Sequence, residues 1–275
     1  MAAQELRAGD VVTRVGARTD VGLKRRHNED AVLALPAIYL VADGMGGYEA
    51  GDEASQAVAQ AFREVVGERP SVELEDIRVA LERADDAVAQ VAAHTQRGAG
   101  STVAGAAIVA GDEPTWVFFN VGDSRVYRHL GSVLQQITVD HSLGQELFAL
   151  GTITAEELAV FPDRNVITRA IGAADAEADS WSMPVHTGDR ILICSDGLTS
   201  EVPDEVIRVT LGAFEDPDEA AAALVDLARR AGGRDNISVV VVDVVAGGRA
   251  VDADRSDGDN ETFLDETTVP SGSTS

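Results

Sequence analysis

Acidic residues recur where apolar runs meet loops. The run IYLVA (38–42) stops at Asp43, and glycines follow at 44, 46, 47 and 51. FFNVGDSR ends an apolar run on Asp123, and ILICSDGL ends one on Asp196. RDNISVVVV sets Asp235 just ahead of another, and RRHNED places Glu29 and Asp30 after Arg25 and Arg26. Taken singly, each aspartate reads first as a turn or cap residue. Taken together, carboxylates at neighbouring strand ends would repel one another, an arrangement that cations between them make tolerable. All the candidate ligands are oxygens, with no cysteine cluster and no close histidine pair. That favours Mg2+ or Mn2+ over zinc, and no twelve-residue calcium-loop pattern is present. Two such ions sharing a carboxylate can lower the pKa of a water and drive in-line displacement at phosphorus. An arginine fork suits phosphate oxygens, which makes Arg25 and Arg26 the candidates to hold the phosphate.

Rigid elements must position these groups. The strand candidates are VVTRVGA, IYLVA, TVAGAAIVA, TWVFFNV, RVYRH, RILICS and ISVVVVDVV. Several are apolar almost throughout, so burial on both faces is expected. In Glu53–Val66 the residues Ala54, Val58, Phe62 and Val65 form one helical stripe. In Glu73–Ala93 a seam runs through Leu74, Ile77, Leu81, Ala84, Val88 and Val91. Asp216-Pro217 opens a third helix that Gly232-Gly233 closes. Ser142–Gly151 and Thr154–Phe161 read as two short helices. Strand runs followed by helix pairs, without βαβ alternation, point to an α+β domain with largely antiparallel sheets.

Net charge is −25 and the pI is about 4.4, which argues against nucleic acid and anionic lipid as partners. The single Cys194 excludes an intramolecular disulfide framework and a multi-cysteine zinc site. No apolar run nears the ~20 residues needed to span a bilayer, and the N-terminus lacks a signal-peptide pattern. The expected compartment is the cytoplasm. Residues 246–275 hold seven acidic residues against two arginines, with little apolar content. They are expected to form a disordered acidic tail beyond a folded region of residues 1–245.

The ordered set RRHNED, VADGMGG, GST (100–102), VGDSR, DHSLGQELFALGTITAEEL, SDGL and RDNIS resembles the metal-dependent serine/threonine protein phosphatases of type 2C, in their bacterial form. Each motif alone is weak, but the order from about residue 10 to 245 is specific. The resemblance implies two antiparallel β-sheets packed face to face, flanked by helices on both sides as four αββα layers. It implies a dinuclear Mg2+ or Mn2+ centre bridged by Asp43, with the Gly44 carbonyl on one ion and Asp196 and Asp235 on the other. Glu29 and Asp30 would act through metal-bound water, and Asp123 with Asp196 would form a third metal site. Arg25 falls on the phosphate-binding arginine, and Asp140–Asp163 on a mobile flap. The implied reaction is direct attack of the metal-bridging water on phosphoserine or phosphothreonine. Phosphorylated proteins and serine/threonine kinases are the implied partners.

Two features depart from the family pattern. Met45 stands where animal members often carry a histidine, leaving His27 or a metal-bound water as the general acid. Tyr48 and Glu49 follow Gly47 where bacterial relatives usually read His-Ala, at the expected rim of the cleft. In the tail, Thr262, Thr267 and Thr268 lie among acidic residues. Phosphorylated by a kinase, they would suit a phosphothreonine-binding domain.

Overall fold

The computed structural model describes residues 3–46, 49–95, 98–109, 111 and 113–250. The chain opens with strands β1 (Gln4–Ala8), β2 (Val11–Asp20), β3 (Asp30–Leu35) and β4 (Ile38–Met45). Helices α1 (Glu49–Val66) and α2 (Leu74–Ala93) follow. Next come β5 (Gly100–Ser101), β6 (Val103–Val109), β7 (Thr115–Val121), β8 (Arg125–Leu130) and β9 (Val133–Gln136). Two short helices, α3 (Leu143–Ala149) and α4 (Ala155–Val160), precede β10 (Asp179–Pro184) and β11 (Arg190–Cys194). The chain closes with α5 (Asp196–Thr199), α6 (Asp204–Ala213), α7 (Pro217–Ala231) and β12 (Ile237–Ala246).

The strands form two antiparallel sheets. One runs β1-β2-β12-β11-β8-β9, the other β10-β7-β6-β4-β3, with β5 pairing the end of β4. The strand period of two sorts side chains between two cores. Ile191, Ile193, Val240 and Val242, with Val126 beside them, face the opposite sheet, where Tyr39, Trp116 and Phe118 pack in the same core. The alternate residues Leu192, Cys194, Val239 and Val241 meet Leu211, Leu224 and Ala228 of α6 and α7. The central strands are therefore buried on both faces, as their apolar composition predicts. Helices α1 and α2 cover the outer face of the other sheet, where Phe62 stacks on Phe119 at 5.2 Å. The layers are helices, sheet, sheet, helices. Each fully buried Val, Leu or Ile contributes about 1.5–3 kcal/mol, and this double core supplies the rigidity that the strand ends need.

Close backbone approach seats α7. A Cβ on Gly16 of β2 would lie 2.4 Å from the backbone of Asp218. Asp216 caps α7 by accepting from the N–H groups of Asp218 and Glu219, with Pro217 at the first helical position. The helix ends at Gly232, and Gly233 takes a positive φ of 52°. The last residues of α7 thus lead straight to Asp235 and the start of β12. The paired backbone continues a little past 245, because Arg249 N–H donates to Val185 and Arg249 O accepts from Thr187.

One buried carboxylate crosses between the sheets. Asp189, 1% exposed, accepts from Trp116 Nε1 of one sheet at 3.1 Å and from Arg128 Nε of the other at 2.8 Å. It also accepts from the His186 N–H at 2.8 Å. Its removal would strand a partly buried guanidinium and a buried indole N–H. Asp189→Ala is expected to cost about 3–5 kcal/mol, read as a lower urea midpoint. Arg7→Ala, whose partner Glu5 is exposed, should change stability by less than about 1 kcal/mol.

Candidate metal centre

The strand registers bring the acidic residues to one edge of the sandwich. Asp30 and Asp43 are direct partners across β3 and β4. Cys194, near the end of β11, pairs with Val239 of β12 and with Arg125, the first residue of β8. Asp196, Asp235 and Asp123 flank those three points and so converge.

Side chains and glycines fix the loops there. The Asp43 N–H donates to Thr102 Oγ1 at 3.0 Å, and its carbonyl accepts from the Thr102 N–H at 2.8 Å. Thr102 Oγ1 also bonds Ser124 Oγ at 2.8 Å, joining the loops of Asp43 and Asp123. Asn236 holds the loop that carries Arg25: its Nδ2 donates to Val21 O and His27 O, both at 3.0 Å, and its Oδ1 accepts from the Glu29 N–H at 2.8 Å. A Cβ on Gly197 would lie 1.8 Å from Asn236 O. One on Gly44 would lie 1.9 Å from Gly51 O in the first turn of α1, and one on Gly51 would meet the Glu29 carboxyl. Backbone packing beneath the site therefore requires the glycine at 44, and a side chain at 51 would displace the Glu29 carboxyl.

The electrostatics are dominated by crowding. Burial, then Asp30, Asp196, Asp123 and Asp235, push the Asp43 carboxyl well above its ordinary value. Burial raises Asp30 to about 7, against hydrogen bonds from the serines at 238 and 195. Asp123 rises to about 8 through burial and the charges of Asp196 and Asp140, and Asp196 to about 6 through burial and Asp235. Burial also raises Glu29. The Asp43 side chain, close to Asp196, opposes the rise of Asp196. Arg25 Nη2 donates to Asp235 Oδ2 at 2.6 Å, and that bond is the largest cause of its raised pKa.

Among the described residues, no three acidic, histidine or cysteine side chains form a ready-made ion cage. Asp235 pairs instead with Arg25, and Asp30 accepts from Ser195 Oγ at 2.9 Å. Their chemistry nevertheless suits hard divalent cations. The donors are all oxygen, Asp30 Oδ1 is buried without a partner, and cations between the carboxyls would relieve their mutual repulsion. Beside Asp123 and Asp196 lies a cavity of about 290 Å³, walled on its far side by Ser142, Gln145, Leu158 and Arg164 of the segment carrying α3 and α4.

Asp30, Asp43, Asp123, Asp196 and Asp235 thus assemble, with Arg25 attached through Asp235. Glu29 lies against Gly51 at the side. His27 contributes its carbonyl to Asn236. Glu49 opens α1, four residues before the expected start at Glu53, and Tyr48 lies outside the described residues. Asn236, Thr102 and Ser195 escaped sequence reasoning as positioning groups. The signal available was their place beside a ligand candidate within the same short motifs.

The model of the protein phosphatase 2C family matches residues 24–237, and the chain belongs to that family. It is 40% identical over 240 residues to "Serine/threonine protein phosphatase PstP" of Mycobacterium tuberculosis, covering 86% of this chain and 46% of that protein. The chain thus spans about half the length of that relative. It is 36% identical to "Serine/threonine phosphatase stp" of Listeria monocytogenes, covering 82% of this chain and 94% of that one. The solved catalytic domain of PstP in complex with two manganese ions superposes with a TM-score of 0.77 at 36% identity, covering 86% of this chain and all of that one.

The raised carboxyls make stability fall as pH rises. Between pH ~4 and ~8 the unfolded carboxyls are ionised while the folded ones still hold protons, so the folded state binds more protons. Metal-free protein in chelator is expected to melt at a progressively lower temperature from pH 5 to pH 8. Asp123→Asn should flatten that slope in calorimetric melts, and Mn2+ should flatten it in the wild type.

Proposed function

We propose that the chain is a metal-dependent protein phosphatase acting on phosphoserine and phosphothreonine. The observation that carries this reading is the convergence of Asp43, Asp196, Asp235 and Asp123 on one edge, with an arginine attached. In this reading Asp43, the Gly44 carbonyl, Asp196 and Asp235 would hold two Mg2+ or Mn2+ ions. Asp123 with Asp196 would hold a third, and Glu29 and Asp30 would act through ordered water. When bound, such ions supply Lewis-acid activation of water and neutralise phosphate charge.

The chain's own groups do the rest. β4 and β11 hold the carboxylates rigidly, so little reorganisation is needed during phosphoryl transfer. Arg25, half-exposed at the cleft, turns its fork to the phosphate and fixes the phosphorus in line. Cys194 is buried within β11 and supplies no nucleophile. The segment carrying α3 and α4 forms the wall against which the substrate backbone lies. Protein serine/threonine kinases are the enzymes whose products this site would consume. The cytoplasm, where kinases and reduced thiols coexist, is the compartment we assign. Residues 1–245 form the catalytic unit. The acidic tail, with Thr262, Thr267 and Thr268, lies outside the described residues and serves as a site for kinase modification and phosphothreonine-binding domains. Among the described residues no helix is long and apolar enough to cross a membrane.

The test is hydrolysis of p-nitrophenyl phosphate and of matched phosphothreonine and phosphotyrosine peptides, with Mn2+ and with chelator. Turnover that needs the metal and prefers phosphothreonine is expected. A chelator-insensitive rate would sink the reading. Asp43→Asn should lower kcat at least about 100-fold, the loss of several kcal/mol of charge stabilisation. Arg25→Ala should act mainly on KM, raising it about 10–100-fold as one charged hydrogen bond is lost.

A further inference from the structure

His141 is buried, 5% exposed, and the reaction described above gives it no part. It stands at the start of the segment that carries α3 and α4. Both backbone polar groups of Gly122 are bound to it. The Gly122 N–H donates to His141 Nδ1 at 3.2 Å, and the His141 N–H donates to Gly122 O at 2.9 Å. Gly122 has a φ of 105°, a region that disfavours side chains, and it immediately precedes Asp123. A Cβ there would also lie 2.6 Å from the Thr102 side chain. The backbone that aims Asp123 is thus wedged between Thr102 and His141.

The other contacts of His141 lead into the flap-like segment and the neighbouring strand. Its carbonyl accepts from the Thr168 N–H at 3.0 Å, where the segment returns to the body. Leu143 N–H donates to Val166 O at 2.8 Å, so departing and returning chains are laced together at this point. With Nδ1 accepting, the ring proton sits on Nε2. Nε2 lies 3.3 Å from Asp179 Oδ2 of β10, yet is buried without a well-formed hydrogen bond. Asp179 is held in turn by Arg169 Nη1 at 3.0 Å. Asn120 adds a brace, donating to Gly122 O at 3.0 Å and to Val139 O at 3.2 Å.

We propose that His141 is a positioning residue that couples the segment carrying α3 and α4 to Asp123. The ring holds the turn before Asp123, while the backbone of the same residue is bonded to the root of the segment through Thr168. A displacement of the segment therefore moves the Gly122 peptide and re-aims the Asp123 carboxylate. The imperfect Nε2 contact to Asp179 is the free play in this linkage. The proposal rests on the metal-dependent reading of the site, because Asp123 matters to turnover only through a cation.

The two ring nitrogens have separate jobs, and substitutions can part them. An asparagine carbonyl can replace Nδ1 toward Gly122, and a glutamine amide can replace Nε2 toward Asp179. The experiment measures the wild type, His141→Ala, His141→Asn and His141→Gln. It reads kcat and KM on a phosphothreonine peptide, the Mn2+ concentration for half-maximal rate, and, without substrate, Mn2+ binding by titration calorimetry. His141→Ala is expected to weaken the weakest Mn2+ site and raise the half-maximal Mn2+ concentration about 10–100-fold, the usual effect of removing a group that orients a ligand. His141→Asn should restore most of the Mn2+ binding, and His141→Gln should not. Unchanged Mn2+ binding and kcat in His141→Ala would overturn the proposal. So would equal losses in all three variants in proportion to their melting temperatures, which is the mark of a packing role alone. A wild type that binds no Mn2+ would overturn this proposal and the phosphatase reading together. One that binds Mn2+ and hydrolyses nothing would overturn the phosphatase reading alone, since calorimetry still decides the coupling.

Discussion

The mutual repulsion of buried carboxylates is the constraint on which the molecule is built. Asp30, Asp43, Asp123 and Asp196 all hold protons well above the ordinary carboxyl range, and burial is the first cause in each. Left to relax, such groups would move apart or draw in water. They cannot, because each stands in or close to the terminal residues of a strand locked in a six-stranded sheet. The double core, one between the sheets and one beneath α6 and α7, provides the stability that this edge gives up. The unfavourable electrostatics and the capacity to bind cations are the same property.

Strands alone would not aim the side chains, because the carboxylates lie where regular pairing stops. The last few ångströms are set by single side chains on backbone groups. Thr102 grips Asp43 from both its N–H and its carbonyl. Asn236 uses both ends of its amide to hold three backbone groups of the 21–29 loop. Gly44, Gly51 and Gly197 complete the arrangement by omission, since any side chain would strike a neighbouring carbonyl or carboxyl. Bonds of this kind are each worth about 1 kcal/mol in stability, but their effect on a site comes from geometry. A ligand displaced by an ångström is a different ligand.

The strongest strands, and the acids that close them, were legible in the sequence, whereas the edge strands were not. β4, β6, β7, β11 and β12 are apolar on both faces, so composition alone reveals them. β9 and β10 are sheet edges of mixed polarity, VLQQ and DSWSMP, and β1 is an exposed edge. Nothing in their composition separates them from loops. The start of α1 was hidden for another reason: Gly51 reads as a loop residue, whereas its lack of a side chain lets the helix begin against Gly44. The aspartates were legible because an acid ending an apolar strand is expensive and demands a reason. Asn236 was not, because an asparagine before a strand is an ordinary turn residue until its partners are seen. The pairing of Arg25 with Asp235 spans 210 residues and could emerge only from the fold.

That last pair carries a consequence for recognition. An arginine nitrogen 2.6 Å from a carboxylate is not free for a phosphate. The energies decide whether this matters. Arg25 is 51% exposed and Asp235 31%, so solvent screens the pair, and such pairs are worth about 0–1 kcal/mol. A charged hydrogen bond to a phosphate oxygen is worth about 1.5–3 kcal/mol, and a dianion offers the fork two acceptors. In the proposed phosphatase reading, Asp235 would therefore park the guanidinium at the mouth of the cleft without trapping it. The side chain would already be ordered before a phosphate arrived, so part of the conformational entropy cost of fixing an arginine would be met within the fold.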